Sequence, residues 1–569
     1  MTQLRGSEAV LRVLTEQGVE VVFGIPGGQI IPIYDSLWNY RELRHVLCRH
    51  EQGAALAAEG YARASGKVGV CFATSGPGAT NLVTGIANAM MDSIPVVAIT
   101  GQVRTAAIGR DSFQEADVTG ITLPITKHSR LVRDPHELID TLREAFYVAA
   151  TGRPGPVLVD IPSDVSLSTI RWHEPGTLDL PGYRPIREGN MRTVKRAAEV
   201  IRAAKRPILY VGGGAVGANA ADEVRELARR LNAYVVNTLL GKGAYPETDR
   251  QSLGMPGMHG TYYANHALHH CDLMIVLGAR FDDRVTGDLT GFAPEAKVVH
   301  VDADRAEINK NREATVPVVG DVKTVLQQLL PLLEPRRRGP WEDELDACRE
   351  AHPLAYTHPP AEQGIAPQYI VEQLFEVTRG EAVVSTDVGQ HQMWAAQHYK
   401  CSRPRQFLSS GGLGAMGYGF PAAIGAQIAC PDQPVFDIAG DGSIQMNIQE
   451  LATACIERLP VKVLIFNNGW LGMVRQWQEL LYEERYSGTS LVGNPDFVKV
   501  SEAYGGTGRR VERAEDVREA LEWSLTITDR PCFLDFRVAP EANVFPMIKA
   551  GGRFDDIWES DPRTAAQSG

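Results

Sequence analysis

Residues 434–472 read PVFDIAGDGSIQMNIQELATACIERLPVKVLIFNNGWLG. Two apolar runs, 435–438 and 461–466, flank a segment with helical periodicity, a pattern typical of two parallel strands joined by a helix. Asp441 lies between two glycines after the first run, and Asn468 follows the second run. Because ligands bind at the carboxyl ends of parallel strands, we expect both side chains at one ligand-binding edge.

The chemistry of these two side chains suggests a cation. A glycine-flanked turn that enters a helix exposes backbone N–H groups and attracts phosphate. A carboxylate at that place repels phosphate unless a cation lies between them. Asp441 and the amide oxygen of Asn468 are therefore candidate ligands of Mg²⁺ or Ca²⁺, with phosphate oxygens as further ligands. The alternative is a tight turn with a helix-capping Asp441, followed by an asparagine pair in a loop.

The composition is that of an ordinary globular protein. The chain has 569 residues, 44% of them hydrophobic and 22% charged, and three domains are expected for that length. The net charge of -12 argues against nucleic-acid binding, since neutralising phosphates requires a basic surface. The eight cysteines show no paired spacing, and no apolar run is long enough to cross a membrane. These features predict a cytoplasmic protein without disulfides or zinc sites.

Short β-branched runs alternate with helical segments along the chain. This alternation predicts an α/β fold whose parallel sheets are covered on both faces. Proline-rich passages at 173–190 and 333–344 interrupt the alternation and are expected to connect domains. We therefore predict three doubly wound parallel-sheet domains and a C-terminal tail, at 1–170, 190–335, 360–550 and 551–569.

The middle of the chain carries a second glycine motif. Gly212, Gly214 and Gly217 in PILYVGGGAVG form G-x-G-x-x-G after a predicted strand, a pattern that by itself suggests a dinucleotide. An NAD site also requires an acidic residue about 20 positions later, whereas the next strand, AYVVNT, ends in Asn and Thr. The sequence therefore argues against NAD at this motif.

Taken together, the motifs make the chain similar to the thiamine diphosphate enzymes over nearly its full length. G-D-G at 440–442, followed one helix and one strand later by Asn-Asn at 467–468, matches the diphosphate-anchoring signature of that superfamily. More narrowly, the chain resembles the catalytic large subunits of acetohydroxyacid synthase (acetolactate synthase), through FGIPGG, RHEQGAALAAEGYARASGKVGVCFATSGPGATNL, DSFQEAD, RPGPVLVDIP, GARFDDRVTG, VGQHQMWAA, GGLGAMGYGFPAAIGAQ and GMVRQWQ. The resemblance implies a pyrimidine-binding, a central FAD-type and a diphosphate-binding domain, in that order.

The resemblance gives Glu51 a catalytic role. In the superfamily a glutamate bonds N1′ of the coenzyme's pyrimidine and promotes loss of the thiazolium C2 proton, and an apolar setting would help by raising its pKa. From the residues alone, Glu51 could equally be a solvated glutamate at a helix end, which is how we interpret Glu59. The small residues around them, GAALAAEGYARA, are expected to pack closely. Gln114 is expected to orient the donor's keto oxygen, and Gly28 to let a backbone amide approach the coenzyme.

The family match also implies which residues hold the cofactors. For thiamine diphosphate they are, besides Glu51, the residues Gln390, His391, Met416, Gly440, Gly442 and Ser443. For Mg²⁺ they are Asp441, Asn468 and the backbone carbonyl of Trp470. For FAD, which would be structural or vestigial because carboligation involves no net redox change, they are Arg153, Gly212, Gly213, Thr238, His259, Arg280, Asp302 and Asp321. Met416 could instead be a gap-filling core methionine, and His391 a structural histidine.

The implied substrates are small 2-keto acids. Arg284 is the candidate for binding the acceptor's carboxylate, with a surface ion pair as the alternative. The other positions that match residues near the family's reacting centre are Phe113, Lys127, Met258, Met473 and Trp477.

The implied reaction is a transferase (carboligase) step of branched-chain amino acid biosynthesis. Pyruvate loses CO₂ and its two-carbon remainder joins a second pyruvate or 2-ketobutyrate, giving 2-acetolactate or 2-aceto-2-hydroxybutyrate. The alternatives are a pyruvate oxidase or decarboxylase, or a non-catalytic flavin-binding subunit. A homodimer or homotetramer with active sites at the subunit interface, and a small regulatory subunit, are further expectations of the resemblance.

The helical pattern of residues 471–486 generates a prediction about specificity. It places Met473 and Trp477 on one face, either in the core or along the acceptor pocket. We predict that Trp477→Leu leaves acetolactate formation largely intact but erodes the preference for 2-ketobutyrate, since one methylene in a fitted pocket is worth roughly 1–3 kcal/mol. Competition between the two acceptors measures the preference, and an unchanged product ratio would refute the role.

Overall fold

The computed structural model describes residues 2–176, 178 and 180–565. Three separate parallel sheets follow one another along the chain, with helices between their strands. The predicted α/β class with three parallel-sheet domains is therefore confirmed. The last four residues of the predicted tail, 566–569, lie outside the described residues.

The first sheet lies in the N-terminal third. The strands of this region are β1 (Gln3–Arg5), β2 (Val21–Gly24), β3 (Arg44–Leu47), β4 (Gly69–Ala73), β5 (Val96–Gln102), β6 (His128–Leu131), β7 (Val157–Pro162) and β8 (Thr169–Arg171). Its helices are α1 (Gly6–Glu16), α2 (Ile31–Leu37), α3 (Glu51–Ser65), α4 (Pro77–Asn81), α5 (Val83–Asp92), α6 (Val118–Thr122), α7 (Leu138–Ala150) and α8 (Ser163–Leu167). The parallel sheet has the order β3-β2-β4-β5-β7-β6, and β1 pairs antiparallel with β8.

The second sheet lies in the middle of the chain. Its strands are β9 (Pro207–Val211), β10 (Tyr234–Asn237), β11 (Leu273–Leu277), β12 (Lys297–Asp302) and β13 (Val316–Val319). The helices are α9 (Met191–Ala203), α10 (Gly213–Gly217), α11 (Ala221–Leu231), α12 (Tyr262–His270), α13 (Asp283–Thr286), α14 (Val322–Leu329) and α15 (Pro340–Ala351). The order β10-β9-β11-β12-β13 places the glycine motif directly after β9, next to the sheet centre.

The third sheet lies in the C-terminal third. Its strands are β14 (Val383–Thr386), β15 (Phe407–Ser409), β16 (Val435–Gly440), β17 (Lys462–Asn467), β18 (Thr507–Val511) and β19 (Cys532–Arg537). The helices are α16 (Pro367–Thr378), α17 (Gln390–His398), α18 (Gly419–Ala429), α19 (Leu451–Ile456), α20 (Gly472–Leu481), α21 (Phe497–Tyr504), α22 (Val517–Leu525) and α23 (Pro562–Ala565). The sheet order is β15-β14-β16-β17-β19-β18, so the two strands of the opening motif are neighbours.

Both faces of the sheets are buried. Along β4, for example, Val70 and Phe72 belong to one hydrophobic cluster, and Cys71 and Ala73 belong to another on the opposite face. This alternation explains why the strands read as continuous apolar runs in the sequence. No helix within the described residues is long and apolar enough to cross a membrane.

Helices α3 and α18 pack against each other and join the N-terminal and C-terminal regions. Both consist largely of small residues, EQGAALAAEGYARAS and GFPAAIGAQIA. A β-carbon on Gly60 would lie 2.2 Å from the carbonyl oxygen of Ala422, and one on Gly425 would lie 1.9 Å from that of Ala57. The two backbones therefore touch where both helices carry glycine, which is the close packing that the small residues of α3 predict.

This contact generates a prediction about stability. We expect Gly425→Ala to lower the melting temperature markedly, because its methyl group would meet backbone atoms of α3 that cannot rotate away, and overpacking of this kind typically costs about 1–3 kcal/mol. Gly176→Ala is the matched control, since a β-carbon there would meet nothing within 4 Å. Equal melting temperatures for the two variants would contradict the close helix contact.

Candidate active site

The strands β16 and β17 bring Asp441 and Asn468 to one edge of the third sheet. The two strands pair in parallel, with Gly440 opposite Phe466. Asp441 directly follows β16, and Asn468 directly follows β17. The expectation that both side chains share one carboxyl edge therefore agrees with the fold. Their role as metal ligands stays a prediction.

Asp441 is a buried carboxylate. The residue is 1% exposed, and its Oδ2 accepts hydrogen bonds from the backbone N–H of Gly469 at 3.0 Å and from Nδ2 of Asn494 at 2.6 Å. Burial raises the pKa of Asp441 to about 6, although these donors oppose the shift. A carboxylate withdrawn from water in this way favours a cation beside it.

Asn468 faces the same turn. Its Oδ1 accepts the backbone N–H of Trp470 at 3.0 Å, and its Nδ2 lies 3.4 Å from Oε1 of Gln390. Gln390 in turn donates to Oε1 of Gln476 at 2.9 Å and to the carbonyl of Ala542 at 2.8 Å. Among residues 2–176, 178 and 180–565, no group of three or more His, Cys, Asp or Glu side chains could hold a metal ion. A cation at this edge would therefore have Asp441 as its carboxylate ligand, with neutral oxygens such as that of Asn468 beside it.

His391 lies beneath the glycine turn. A β-carbon on Gly440 would lie 2.7 Å from Cε1 of the His391 ring, so glycine is needed where the ring packs. The ring is buried, which lowers the pKa of His391 to about 3. Its Nε2 has no hydrogen-bond partner within the described part of the chain. Ser443 completes the turn by accepting the backbone N–H of Gly440 at 3.1 Å.

Met416 approaches the same turn from a glycine-rich loop. Its Cε would lie 4.0 Å from a β-carbon built on Gly442. The backbone N–H of Gly417 donates to Oδ1 of Asp387 at 2.7 Å, and Gly417 has a positive φ of 84°. The main chain next to Met416 thus has a conformation that only glycine adopts easily, and it places the methionine side chain near the Asp441 turn.

A cavity of about 1100 Å³ lies where the three regions meet. Many of the sequence-predicted site residues line it, from all three regions: Arg153, Gly212, Gly213, Thr238, Met258, His259, Arg280, Arg284, Asp302, Asp321, Met416, Met473 and Trp477. The structure therefore brings together every residue predicted for FAD, four of the six predicted for substrate, and the methionine predicted to touch the coenzyme.

Several polar side chains line the cavity wall, and His259 among them lacks a hydrogen-bond partner within the described residues. His259 is 5% exposed, neither ring nitrogen has a hydrogen-bond partner among the described residues, and burial lowers its pKa to about 4. Burial also raises the pKa of Asp302 to about 6. Arg153 forms ion pairs with Asp304 at 3.3 Å and Glu307 at 2.6 Å. These groups could receive hydrogen bonds from, or donate them to, a polar ligand in the cavity.

Glu51 lies at the carboxyl edge of the first sheet. It is the first residue of α3 and is 9% exposed, and its Oε2 accepts a hydrogen bond from Nδ2 of Asn81 at 2.9 Å. Gly28 follows β2 at the same edge. Gln114 has a positive φ of 60° and packs its backbone against Gly76. The predicted catalytic residues therefore share one sheet edge.

Glu51 and Asp441 have different hydrogen-bond partners within one chain. Among the described residues the two carboxylates share no hydrogen-bond partner, since Glu51 bonds to Asn81 and Asp441 to Gly469 and Asn494. The backbone just before Glu51 instead contacts Glu450, whose carboxylate accepts the N–H groups of Arg49 and His50 at 3.0 Å each.

Phe113 and Lys127 lie outside the cavity. Phe113 is 85% exposed. Lys127 donates from Nζ to the carbonyl oxygens of Val148 and Thr151, the latter at 2.7 Å, and to the hydroxyl of Tyr183 at 3.0 Å. These contacts give Lys127 a structural alternative to the substrate role, which stays a prediction.

The interpretation of Glu59 as a solvated glutamate is wrong. Its side chain is fully buried and bonded to Arg63 and Asn88. Burial raises the pKa of Glu59 to about 7, although Arg63 opposes the shift. The four-residue spacing between Glu59 and Arg63 on a helix of small residues was the available signal for this pair. Nothing in the sequence indicated Asn81 or Asn494, which bond to the two predicted site carboxylates from loops and short helices far along the chain.

Three family models match the chain. Residues 4–121 match the N-terminal TPP binding domain of thiamine pyrophosphate enzymes, residues 194–329 the central domain, and residues 387–536 the C-terminal TPP binding domain.

Similar proteins extend this match to nearly the whole chain. An acetolactate synthase large subunit of Mycobacterium tuberculosis is 53% identical over 98% of this chain and 92% of its own length. One of Corynebacterium glutamicum is 49% identical over 98% of this chain and 90% of its own. The acetolactate synthase isozyme 3 large subunit of Escherichia coli is 45% identical over 98% of this chain and 99% of its own.

The contacts of Lys127 generate a prediction that separates its two roles. We expect Lys127→Met to lower the melting temperature, because it leaves the carbonyls of Val148 and Thr151 without a charged donor, and such bonds are worth about 1.5–3 kcal/mol each. Lys67→Met is the control, since it removes an exposed ion pair with Glu20 of the kind that contributes about 0–1 kcal/mol. A melting temperature unchanged by Lys127→Met would favour a side chain that is free to bind a ligand.

Proposed function

Because the chain belongs to the acetolactate synthase large subunits of the thiamine pyrophosphate enzymes, we propose that it makes acetohydroxy acids from 2-keto acids. It decarboxylates pyruvate and transfers the two-carbon remainder to a second pyruvate or to 2-ketobutyrate. The products are 2-acetolactate and 2-aceto-2-hydroxybutyrate, precursors in branched-chain amino acid biosynthesis. The observation that carries this conclusion is the identity of 53% over 98% of the chain with an acetolactate synthase large subunit.

The turn after β16 fits the diphosphate of the coenzyme and its Mg²⁺. Asp441 offers a buried carboxylate that a cation would neutralise, and Asn468 offers an amide oxygen at the next strand end. The backbone carbonyl of Trp470 is the third proposed protein ligand. The unpartnered Nε2 of His391 and the turn residues Gly440, Gly442 and Ser443 are available to phosphate oxygens. Gln390 supports the site by bonding to Asn468.

Glu51 is the proposed proton-handling residue. The bound coenzyme supplies the nucleophilic carbon that attacks the keto group of pyruvate. The Glu51 carboxyl would hold a proton at the pyrimidine N1′, and its burial together with the single bond from Asn81 leaves one oxygen for that contact. Gln114, whose backbone is fixed against Gly76, would donate to the keto oxygen as negative charge develops there.

The cavity of about 1100 Å³ fits a flavin beside the substrate path. The unpartnered ring of His259, the carboxylates of Asp302 and Asp321 and the glycine turn after β9 offer donors and acceptors along its wall. We propose FAD as a structural ligand there, since the reaction needs no electron transfer. The visible absorbance of oxidised flavin in the purified protein would identify it.

We propose that the substrate binds in the part of the cavity lined by Arg284, Met258, Met473 and Trp477. The Arg284 side chain is 54% exposed and lies 3.7 Å from Asp283, a weak pairing that leaves the guanidinium available to a keto-acid carboxylate. Met473 and Trp477 follow each other by one turn of α20 and offer apolar surface to the acceptor's alkyl group. This arrangement supports small 2-keto acids as substrates.

We also propose that the coenzyme lies between two copies of the chain. The exposed Phe113, which matches a position near the family's reacting centre, supports this. Within the described part of one chain, Glu51 and Asp441 also share no hydrogen-bond partner. A homodimer would then be the smallest active unit, and a homotetramer or a small regulatory subunit are further proposals. The cytoplasmic location stays a prediction.

Product analysis tests the function. With pyruvate alone we expect acetolactate, and with added 2-ketobutyrate also acetohydroxybutyrate, both dependent on thiamine diphosphate and Mg²⁺ and abolished by a chelator. Acetaldehyde or acetyl phosphate as the main product would indicate a decarboxylase or an oxidase instead.

Glu51→Gln should lower kcat by about 10²–10⁴-fold, the usual contribution of general acid–base catalysis. Glu20→Gln, which alters an exposed ion pair, should leave kcat unchanged. Undiminished turnover of Glu51→Gln would exclude its catalytic role.

A further inference from the structure

A buried polar network connects helices α3 and α5 with the loop that precedes Met416. Its members, which we call the strut, are Glu59, Arg63, Asn88, Asp92 and Ser410. The side chains of Glu59 and Asp92 are fully buried, and that of Arg63 is 9% exposed. Charged side chains are rarely buried to this extent unless they are paired, and the strut pairs all of them.

Within α3 and α5 the strut is held by charge-assisted hydrogen bonds. Arg63 donates from Nε and Nη2 to Oε1 of Glu59, at 2.9 and 2.7 Å, and from Nη2 to Asp92. Asn88 donates from Nδ2 to both oxygens of Glu59, at 3.0 and 2.8 Å. These four side chains therefore fix one another's positions.

The other side of the strut binds the main chain of residues 410–415. Asp92 accepts the N–H of Gly412 on Oδ1 at 2.7 Å and the N–H of Gly411 on Oδ2 at 3.0 Å. Ser410 donates to Oδ1 of Asn88 at 2.5 Å and accepts the N–H of Ala415 at 2.8 Å. The strut thus fixes the direction of backbone groups, which side-chain packing alone would not do.

The loop needs this support because of its composition. Residues 411, 412, 414 and 417 are glycines, and Gly414 and Gly417 have positive φ angles of 71° and 84°. Glycine loses more conformational freedom on folding than any other residue, so such a loop does not keep one shape by itself. At the end of the loop, just after Met416, the backbone N–H of Gly417 donates to Asp387. Met416 therefore sits between two aspartate anchors.

We propose that Asp92, supported by Arg63, Glu59 and Asn88, is a positioning residue that fixes the 410–415 main chain and thereby sets Met416 beside the coenzyme. The inference rests on the proposed thiamine diphosphate site, because Met416 approaches Gly442 of the turn assigned to that coenzyme. Since α3 begins at Glu51, the strut also ties the Met416 loop to the helix that carries the proposed proton-handling residue.

The test uses Asp92→Asn, which keeps the shape of the side chain but removes its charge and one acceptor oxygen. With thiamine diphosphate and Mg²⁺ present, we expect amide hydrogen exchange in residues 410–416 to accelerate about tenfold or more, as it does when local opening becomes easier. We expect kcat to fall by about tenfold, while KM for pyruvate changes by less than about twofold, because Asp92 is not among the residues proposed to bind the substrate. Ser410→Ala, a milder change, should shift both readouts in the same direction.

Asp272→Asn is the matched control. Asp272 also accepts two backbone N–H groups, from Lys205 at 2.7 Å and Arg206 at 2.8 Å, but in the central sheet region. It should leave exchange in residues 410–416 and kcat unchanged. The proposal is overturned if folded Asp92→Asn or Ser410→Ala behaves like this control in both readouts. If the unsubstituted protein shows no coenzyme-dependent activity, the proposed function fails, whereas exchange in the coenzyme-free variants still decides whether the strut orders the loop.

Discussion

The contact between α3 and α18 is the constraint on which the arrangement of the site depends. The two helices can touch only because Gly60 and Gly425 leave room for carbonyl groups of the facing helix. This contact fixes the N-terminal sheet, whose edge carries Glu51, against the C-terminal sheet, whose edge carries Asp441 and Asn468. Helix α3 also carries Glu59 and Arg63, which bond to Asn88 and Asp92 of α5, and Asp92 in turn holds the glycine loop before Met416.

The three regions contribute different chemistry to that junction. The C-terminal region provides a buried carboxylate, an amide and a histidine whose Nε2 has no partner among the described residues, which suit a cation and phosphates. The N-terminal region provides a buried glutamate whose partner Asn81 is neutral, which suits proton transfer. The central region provides most of the polar wall of the cavity, which suits a large planar ligand. We therefore propose a site that holds its cofactors at domain boundaries, with its substrate pocket between them.

The sequence predicted those parts of the site that depend on local pattern. The position of Asp441 and Asn468 at adjacent strand ends follows from two apolar runs joined by a helix, and the α/β class follows from the same alternation. Glu51 was recognised only through family resemblance, because a glutamate at a helix start has no distinctive spacing. Glu59 was misinterpreted because its burial depends on Asp92 and Asn88, which come from a different helix. Hydrogen bonds of this kind join positions far apart in the chain, and a single sequence does not reveal them.

We propose that one coenzyme is bound by the Asp441 edge of one copy and activated by Glu51 of another. Activity of a hybrid assembly measures this directly. Glu51→Gln and Asp441→Ala chains, each inactive alone, would be co-expressed with different affinity tags and purified through both tags. A site shared between copies predicts about half of the unsubstituted activity in the hybrid, because one of its two sites then receives an intact Glu51 and an intact Asp441. A hybrid as inactive as its parents would contradict the shared site and place both carboxylates in the same chain's active site.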